Sequence, residues 1–333
     1  MEKTYFGTLK SGEKIHKYTL KNEFITLTLI DRGATIVSLE FLSKNVVGGF
    51  DKLEDYENDV SHQGATIGRV ANRIENARLL LDGVSYELTR NNGTSCLHGG
   101  VGFDFKLWSV IDYTDESITF SYVSEDGEEG FPSRLYTEVT YLLDGGDVII
   151  DYKARPDGKT PIALTNHAYF NLNGKGCDVF SHKLKIYANE YTEADERLIP
   201  TGNRPSVIGT PLDFLDFHEI GERYGNGFCG YDNNFIISAN THKSFFGKKL
   251  ALAAEVAARD IKMNVYTDQP GIQLYVGAMP SGTDKDGKVL WTKNGAFCLE
   301  AQTEPNCVNH GIGIYGEGEI YTQTTVYSFE KNT

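Results

Sequence analysis

Basic residues are in short supply. The 333-residue chain carries 32 Lys and Arg against 46 Asp and Glu, a net charge of −14. Nucleic-acid binding draws on a basic stripe that neutralises phosphates, and this balance argues against it. It is equally unhelpful toward anionic membrane surfaces and phosphorylated substrates; a soluble protein kept apart by its own charge is expected. Long apolar runs are also missing. Nothing approaches the ~20 residues of a membrane span. The opening residues, MEKTYFGTLKSGEK, hold no apolar stretch of the secretory kind, so no signal peptide is expected. Cysteine is sparse and odd in number: Cys96, Cys177, Cys229, Cys298 and Cys307 lie far apart without a CxxC. That pattern excludes a disulfide frame and a zinc ribbon and fits free thiols in a reducing compartment. A cytoplasmic location is expected.

Sustained helical periodicity is lacking as well. Residues 52–59 and 212–223 read as short helices at most. What the sequence has instead is alternation. Residues 21–31, 34–41, 117–123, 135–143, 147–154 and 272–278 place apolar side chains at every second position between Gly, Asn and Asp turns. Asp82-Gly83 and Gly145-Gly146 stand between such runs as two-residue hairpin turns. Strands do not alternate with helices, so a parallel α/β sheet is not expected. The fold class read from this is all-β: a large antiparallel β-sandwich with a few short helices, in one domain of residues 1–333 without linker or repeat. The acidic stretch 125–129 reads as a solvated loop.

Several motifs fail their own structural tests. Gly311-Ile-Gly-Ile-Tyr-Gly316 matches the dinucleotide pattern GxGxxG, but the residues after it, 317–329, are strand-like where that site needs a helix. Cys96 and His98 lack two further metal ligands nearby and read better as a buried thiol beside a polar histidine.

The chemistry-bearing residues lie in separated segments. Residues 64–76 carry Arg69, Asn72 and Arg73 among small side chains; an Arg can fork onto two oxygens, or pair with surface acids. His98 precedes Gly99 and Gly100. In residues 161–174, PIALTNHAYFNLNG, strand parity puts Thr165, His167 and Tyr169 on one face and Leu164, Asn166, Ala168 and Phe170 on the other. Asp232 follows a Gly-rich loop, where it caps a turn or holds vicinal hydroxyls. Gln273 and Tyr275 share a face of their strand. Glu300 shares one with Gln302 while Phe297, Leu299 and Ala301 face away. A carboxylate in so apolar a strand needs an ion-pair partner or a task.

The ordered set GRVANRI, CLHGG with GFD and LW, LTNHAYFNL, YDNNF, GIQLY and CLEAQTEPN resembles the aldose 1-epimerase, or galactose mutarotase, family, from Gly64 to His310. The resemblance implies a large antiparallel β-sandwich with a concave sugar-binding face. It also implies that His167 is the catalytic acid and Glu300 the catalytic base. Family sugar-binding positions fall on Asn72, Arg73, His98, Asp232 and Gln273, and less firmly on Tyr169. The chain departs from the family at Pro305-Asn306-Cys307, where Pro-Asp is common, and in the glycine-rich residues 311–316.

The expected partner is a small-molecule aldose, with no nucleic acid and no membrane; monomer or homodimer is left open. No metal or nicotinamide is required, since opening and reclosing a hemiacetal ring needs one general acid and one general base. His167, with the ~6.5 pKa of free imidazole, would be partly protonated at neutral pH. Gly99 and Gly100 would leave room for C1 to rotate. Alternative readings are a hexose-6-phosphate 1-epimerase, a non-catalytic sugar-binding sandwich, and a glycosidase with Asp232 as second carboxylate.

Overall fold

A computed structural model describes residues 1–225, 227–228, 230–276 and 293–332. Cys229 and the last two residues of the expected alternating run 272–278 lie outside the described residues. The alternating segments form three antiparallel sheets. The largest has ten strands, in spatial order Ser109–Tyr113, Ser117–Ser124, Leu135–Asp144, Asp147–Pro156, Tyr321–Lys331, Ile261–Thr267, Lys248–Ala257, Lys183–Ile186 and His218–Glu219, with His242–Phe245 also on Lys248–Ala257. Alternation is regular here: Leu135, Thr137, Val139, Tyr141 and Leu143 are buried and the residues between them are not.

The first five strands, Glu2–Thr8 to Lys44–Asn45, make a consecutive meander. Glu190–Tyr191, Tyr231–Ile236, Gly271–Val276 and Phe297–Gln302 make a four-stranded sheet. One core joins all three, through Leu27 and Leu39, Val139, Ile150 and Val265, and Ile272, Leu274 and Leu299. Each such side chain contributes about 1.5–3 kcal/mol on burial. Polar groups lock the layers as well. The Tyr327 hydroxyl in the large sheet donates to the Leu299 carbonyl in the small one at 3.1 Å, and Gln323 Nε2 donates to the Ala301 carbonyl at 3.1 Å.

Both expected hairpins form. Leu81 pairs with Val84, and Asp82 and Gly83 have φ of 50° and 80°, the left-handed pair that matches strand twist. Asp144 pairs with Asp147 around Gly145-Gly146. The expected short helix in 52–59 is the helix Leu53–Asn58. The one expected in 212–223 is not a helix; it holds turns and the two-residue strand His218–Glu219. Thr210 Oγ1 accepts from the Leu212 N–H, and Asp213 Oδ2 from that of Gly209, so side chains offer the backbone a turn instead. Nor is 125–129 a wholly solvated loop. Glu128 accepts from the Tyr122 hydroxyl at 2.6 Å and Ser124 Oγ at 2.9 Å, with Lys106 Nζ at 3.6 Å. After Gly311–Gly316 the chain enters the strand Tyr321–Lys331, as the dinucleotide test anticipated.

Candidate active site

The pocket floor is the outer face of the four-stranded sheet. Antiparallel register sets Asp232 opposite Tyr275 and Asn234 opposite Gln273, then Tyr275 opposite Cys298 and Gln273 opposite Glu300. Polar residues two apart on three strands thus become neighbours. All six residues of Phe297–Gln302 are buried. Phe297 and Leu299 join the core, while Glu300 lines the pocket.

His167 is delivered by a short strand, Thr165–Asn166, rather than by a strand through Phe170. Its backbone is fixed at both ends: its N–H donates to the Ala65 carbonyl at 3.0 Å, and its carbonyl accepts from Gly64 at 2.9 Å. The predicted parity holds for the pocket side chains. The His167 ring stacks on Tyr169, centroids 5.0 Å apart, while Leu164, Ala168 and Phe170 enter the core. Thr165 turns instead to the Ala301 carbonyl, at 2.9 Å. Tyr169 lines the pocket and donates its hydroxyl to the Ser61 carbonyl at 3.0 Å.

Arg73–Ile74 pairs with Cys96–Leu97, which leaves Asn72 and His98 beside each other where the pairing stops. Both are left-handed, with φ of 60° and 54°. The His98 N–H donates to the Asn72 carbonyl at 3.0 Å, and the Asn72 N–H donates to His98 Nδ1 at 3.1 Å. That second bond makes Nδ1 an acceptor, so neutral His98 carries its proton on Nε2. Cys96 faces the other way, into an apolar cluster with Ile74 and Leu79. Arg73 Nε donates to Asn92 Oδ1 at 3.1 Å, and its Nη1 lies 3.9 Å from Asp232 Oδ2.

Asn72, Arg73, His98, His167, Tyr169, Asp232 and Glu300 line one pocket of about 400 Å³. Gln273 does not line it. Its Nε2 donates to Asp232 Oδ1 at 2.6 Å, so it reaches the pocket through the carboxylate it orients. Arg69 is not at the site at all. It is buried and donates to the carbonyls of Pro132 and Ser133, each at 2.8 Å, and to Ser124 Oγ at 2.6 Å, with no acid paired to it among the described residues. Gly99 and Gly100 do not line the pocket; they serve close packing, Gly99 against backbone and Gly100 against the Glu129 side chain. A Cβ at Gly99 would meet the Gly68 carbonyl at 2.2 Å, one at Gly100 the Glu129 carboxylate at 2.4 Å, and both have positive φ.

Sequence reading missed His62 and Tyr275 as lining residues. His62 sits outside every motif segment and takes φ of 60°, so no periodicity points to it. Tyr275 could have been found, since it shares a strand face with Gln273.

His167 Nε2 lies 3.6 Å from Glu300 Oε1, and Cys298 Sγ contacts Nδ1 at 3.6 Å. Burial dominates the electrostatics. It pushes His167 down to about 3, helped by His62, which overturns the expectation of a free-imidazole value. It holds Glu300 well above the usual carboxylate range, with Asp232 adding to the rise and Arg73 opposing it. Burial also raises Asp232 against the pull of Arg73, and lowers His98. Both shifts favour the uncharged forms, a neutral imidazole beside a protonated carboxyl. Ligand atoms of His167, Cys298 and Glu300 lie within 4.8 Å of one another. Yet the thiol meets Nδ1 and the carboxylate Nε2, opposite nitrogens of one ring, so the set does not converge on a single ion.

This is a polar pocket with a buried histidine–carboxyl pair, on a β-sandwich. A family model for aldose 1-epimerase matches residues 16–328. Galactose mutarotase of Sus scrofa is 39% identical over 341 residues, covering 98% of each chain. Aldose 1-epimerase of Escherichia coli K12 is 35% identical over 336 residues, 96% of each. A crystal structure of an aldose epimerase homologue from C. elegans superposes with a TM-score of 0.85 at 30% identity, covering 95% of this chain and 99% of that one. The chain belongs to the aldose 1-epimerase family and is an isomerase with the galactose mutarotase-like fold. Among the described residues no helix is long and apolar enough to cross a membrane.

Proposed function

We propose that the protein interconverts the α and β anomers of free aldohexoses such as glucose and galactose by opening and reclosing the ring. The observation that carries this reading is the buried His167–Glu300 pair, 3.6 Å apart at the floor of the pocket. Glu300 takes the proton of the C1 hydroxyl while His167 Nε2 gives one to the ring oxygen, and the C1–ring-oxygen bond breaks to an aldehyde. Rotation about C1–C2 presents the other carbonyl face. The same groups with roles exchanged return both protons and reclose the ring. Burial disfavours the charged imidazole, and the adjacent Glu300 carboxyl, raised by the same burial, is the proton source at hand. Arg73, whose charge favours the ionised form of Glu300, supports that arrangement.

Asn72, His98, Tyr169, Asp232 and Gln273 would bind or orient the sugar. The core running from Tyr18 to Phe329 supports one domain acting as a unit, and the free cysteines fit a cytoplasmic setting. Among the described lining residues Arg73 is the only Lys or Arg, which leaves a hexose 6-phosphate with little to hold it. The test is polarimetry of α-D-glucose and α-D-galactose: equilibration accelerated by catalytic amounts of protein is expected. Tight sugar binding without acceleration would overturn the reading in favour of a binding protein.

A further inference from the structure

We infer that His62, held by Asp104, is a specificity determinant that reads the exocyclic C6 hydroxyl of an aldohexose. This rests on the ring-opening reading given above. His62 Nδ1 lies 2.7 Å from Asp104 Oδ2, with side chains 10% and 4% exposed. In the neutral ring a carboxylate partner fixes the proton on Nδ1, leaving the Nε2 lone pair as an acceptor of a hydroxyl hydrogen. Asp104 Oδ1 is buried without a partner. A carboxylate kept in so costly a place, at hydrogen-bond distance from one imidazole, points to a functional dyad. The left-handed φ of 60° at His62 is a second local cost borne at this position.

The order of groups around the pocket says which hydroxyl is read. Asp232 meets Arg73, Arg73 follows Asn72, and the Asn72 N–H meets His98. His98 packs edge-on against His62 at 4.7 Å. Both rings adjoin His167, His98 at 5.3 Å and His62 at 6.0 Å, and Glu300 closes the circuit beside His167. With Glu300 at the C1 hydroxyl and His167 at the ring oxygen, the direction around the sugar is set. The next position past the ring oxygen is C5 with its hydroxymethyl substituent, on the side of the His62 and His98 rings; His98 Nδ1 is already taken by the Asn72 N–H, which leaves His62 as the acceptor there. The C2 and C3 hydroxyls then fall to the Asp232 and Arg73 side.

The test compares kcat/KM for D-galactose, 6-deoxy-D-galactose and L-arabinose, which differ only in the C6 group. A site built around a buried acceptor disfavours the analogue lacking the hydroxyl, so the native protein is expected to favour D-galactose over the 6-deoxy sugar about tenfold or more. His62→Phe keeps the ring packing and removes the acceptor; the ratio should fall toward one. His62→Gln restores an acceptor and should recover part of it, and serves if the Phe variant does not fold. Asp104→Asn, with His62 intact, should also lower the ratio by freeing the tautomer. An unchanged ratio in the His62 variants, or a native protein blind to the 6-hydroxyl, overturns the inference. A native protein that accelerates none of the sugars overturns the ring-opening reading instead.

Discussion

His167 and Glu300 face each other at 3.6 Å, with side chains 7% and 3% exposed. Burial pushes the imidazole down and the carboxyl up. Both shifts favour the uncharged forms of the two groups, and a hemiacetal offers one proton to give and one site to receive.

Removing either partner should abolish the acid–base advantage. Glu300→Gln and His167→Asn are each expected to lower kcat for anomer interconversion by about 10²–10⁴-fold, measured by polarimetry, with the circular dichroism spectrum retained. Near-native rates in either variant would show that the pair is not the catalytic couple.

The pH–rate profile should be flat where a free imidazole would titrate. His167 lies at about 3, so it takes no proton from solvent as pH falls from 7 to 5. Glu300, raised well above the usual range, does not release its proton near 4.5. kcat/KM should therefore show no limb from His167 titration over that interval. A limb with its midpoint near 6.5 would mean that His167 titrates alone.

Acid should weaken the fold through His182. Nε2 of this buried ring accepts from the Leu172 N–H at 3.0 Å, and its Nδ1 donates to the Val179 carbonyl at 3.1 Å. Both nitrogens are satisfied only by the neutral ring, and burial lowers the group from 6.5 to about 4. Between those values the unfolded chain binds a proton that the native one does not. The stabilisation is complete above pH 6.5 and is lost as pH falls toward 4, by about 3 kcal/mol in all. Urea unfolding at pH 7 and 4.5 should show the loss, and His182→Gln should flatten the slope.

Arg69 should matter for stability alone. Arg69→Met leaves the carbonyls of Pro132 and Ser133 without their donor, at a cost of about 3 kcal/mol or more. A lowered urea midpoint is expected. A stable variant with a raised KM would instead put Arg69 in contact with the sugar.

The architecture was legible because most strands show one apolar face to the core. Leu135–Asp144 alternates in sequence as it does in burial, and Asp82-Gly83 is a turn by its own chemistry. The segment after Thr210 misled because its apolar spacing is compatible with a helix, while Thr210 and Asp213 hydrogen-bond the backbone into turns.

Parity within single strands separated Glu300 from Leu299, and His167 and Tyr169 from Phe170, before any strand was paired. That much is local, since alternate side chains on a strand must point apart. Pairing between distant segments decided the rest. Register set Gln273 beside Glu300 and sent Gln273 to orient Asp232. Chain crossings brought His62 to the pocket from outside the recognisable motifs and took Arg69 out of it to hold carbonyls. Burial, a property of the assembled layers, moved His167 from a free imidazole to one held uncharged beside a carboxyl. The sequence alone determined which residues could do acid–base chemistry; the tertiary structure decided which of them meet, and in what state of charge, because desolvation and cross-strand contact exist only after folding.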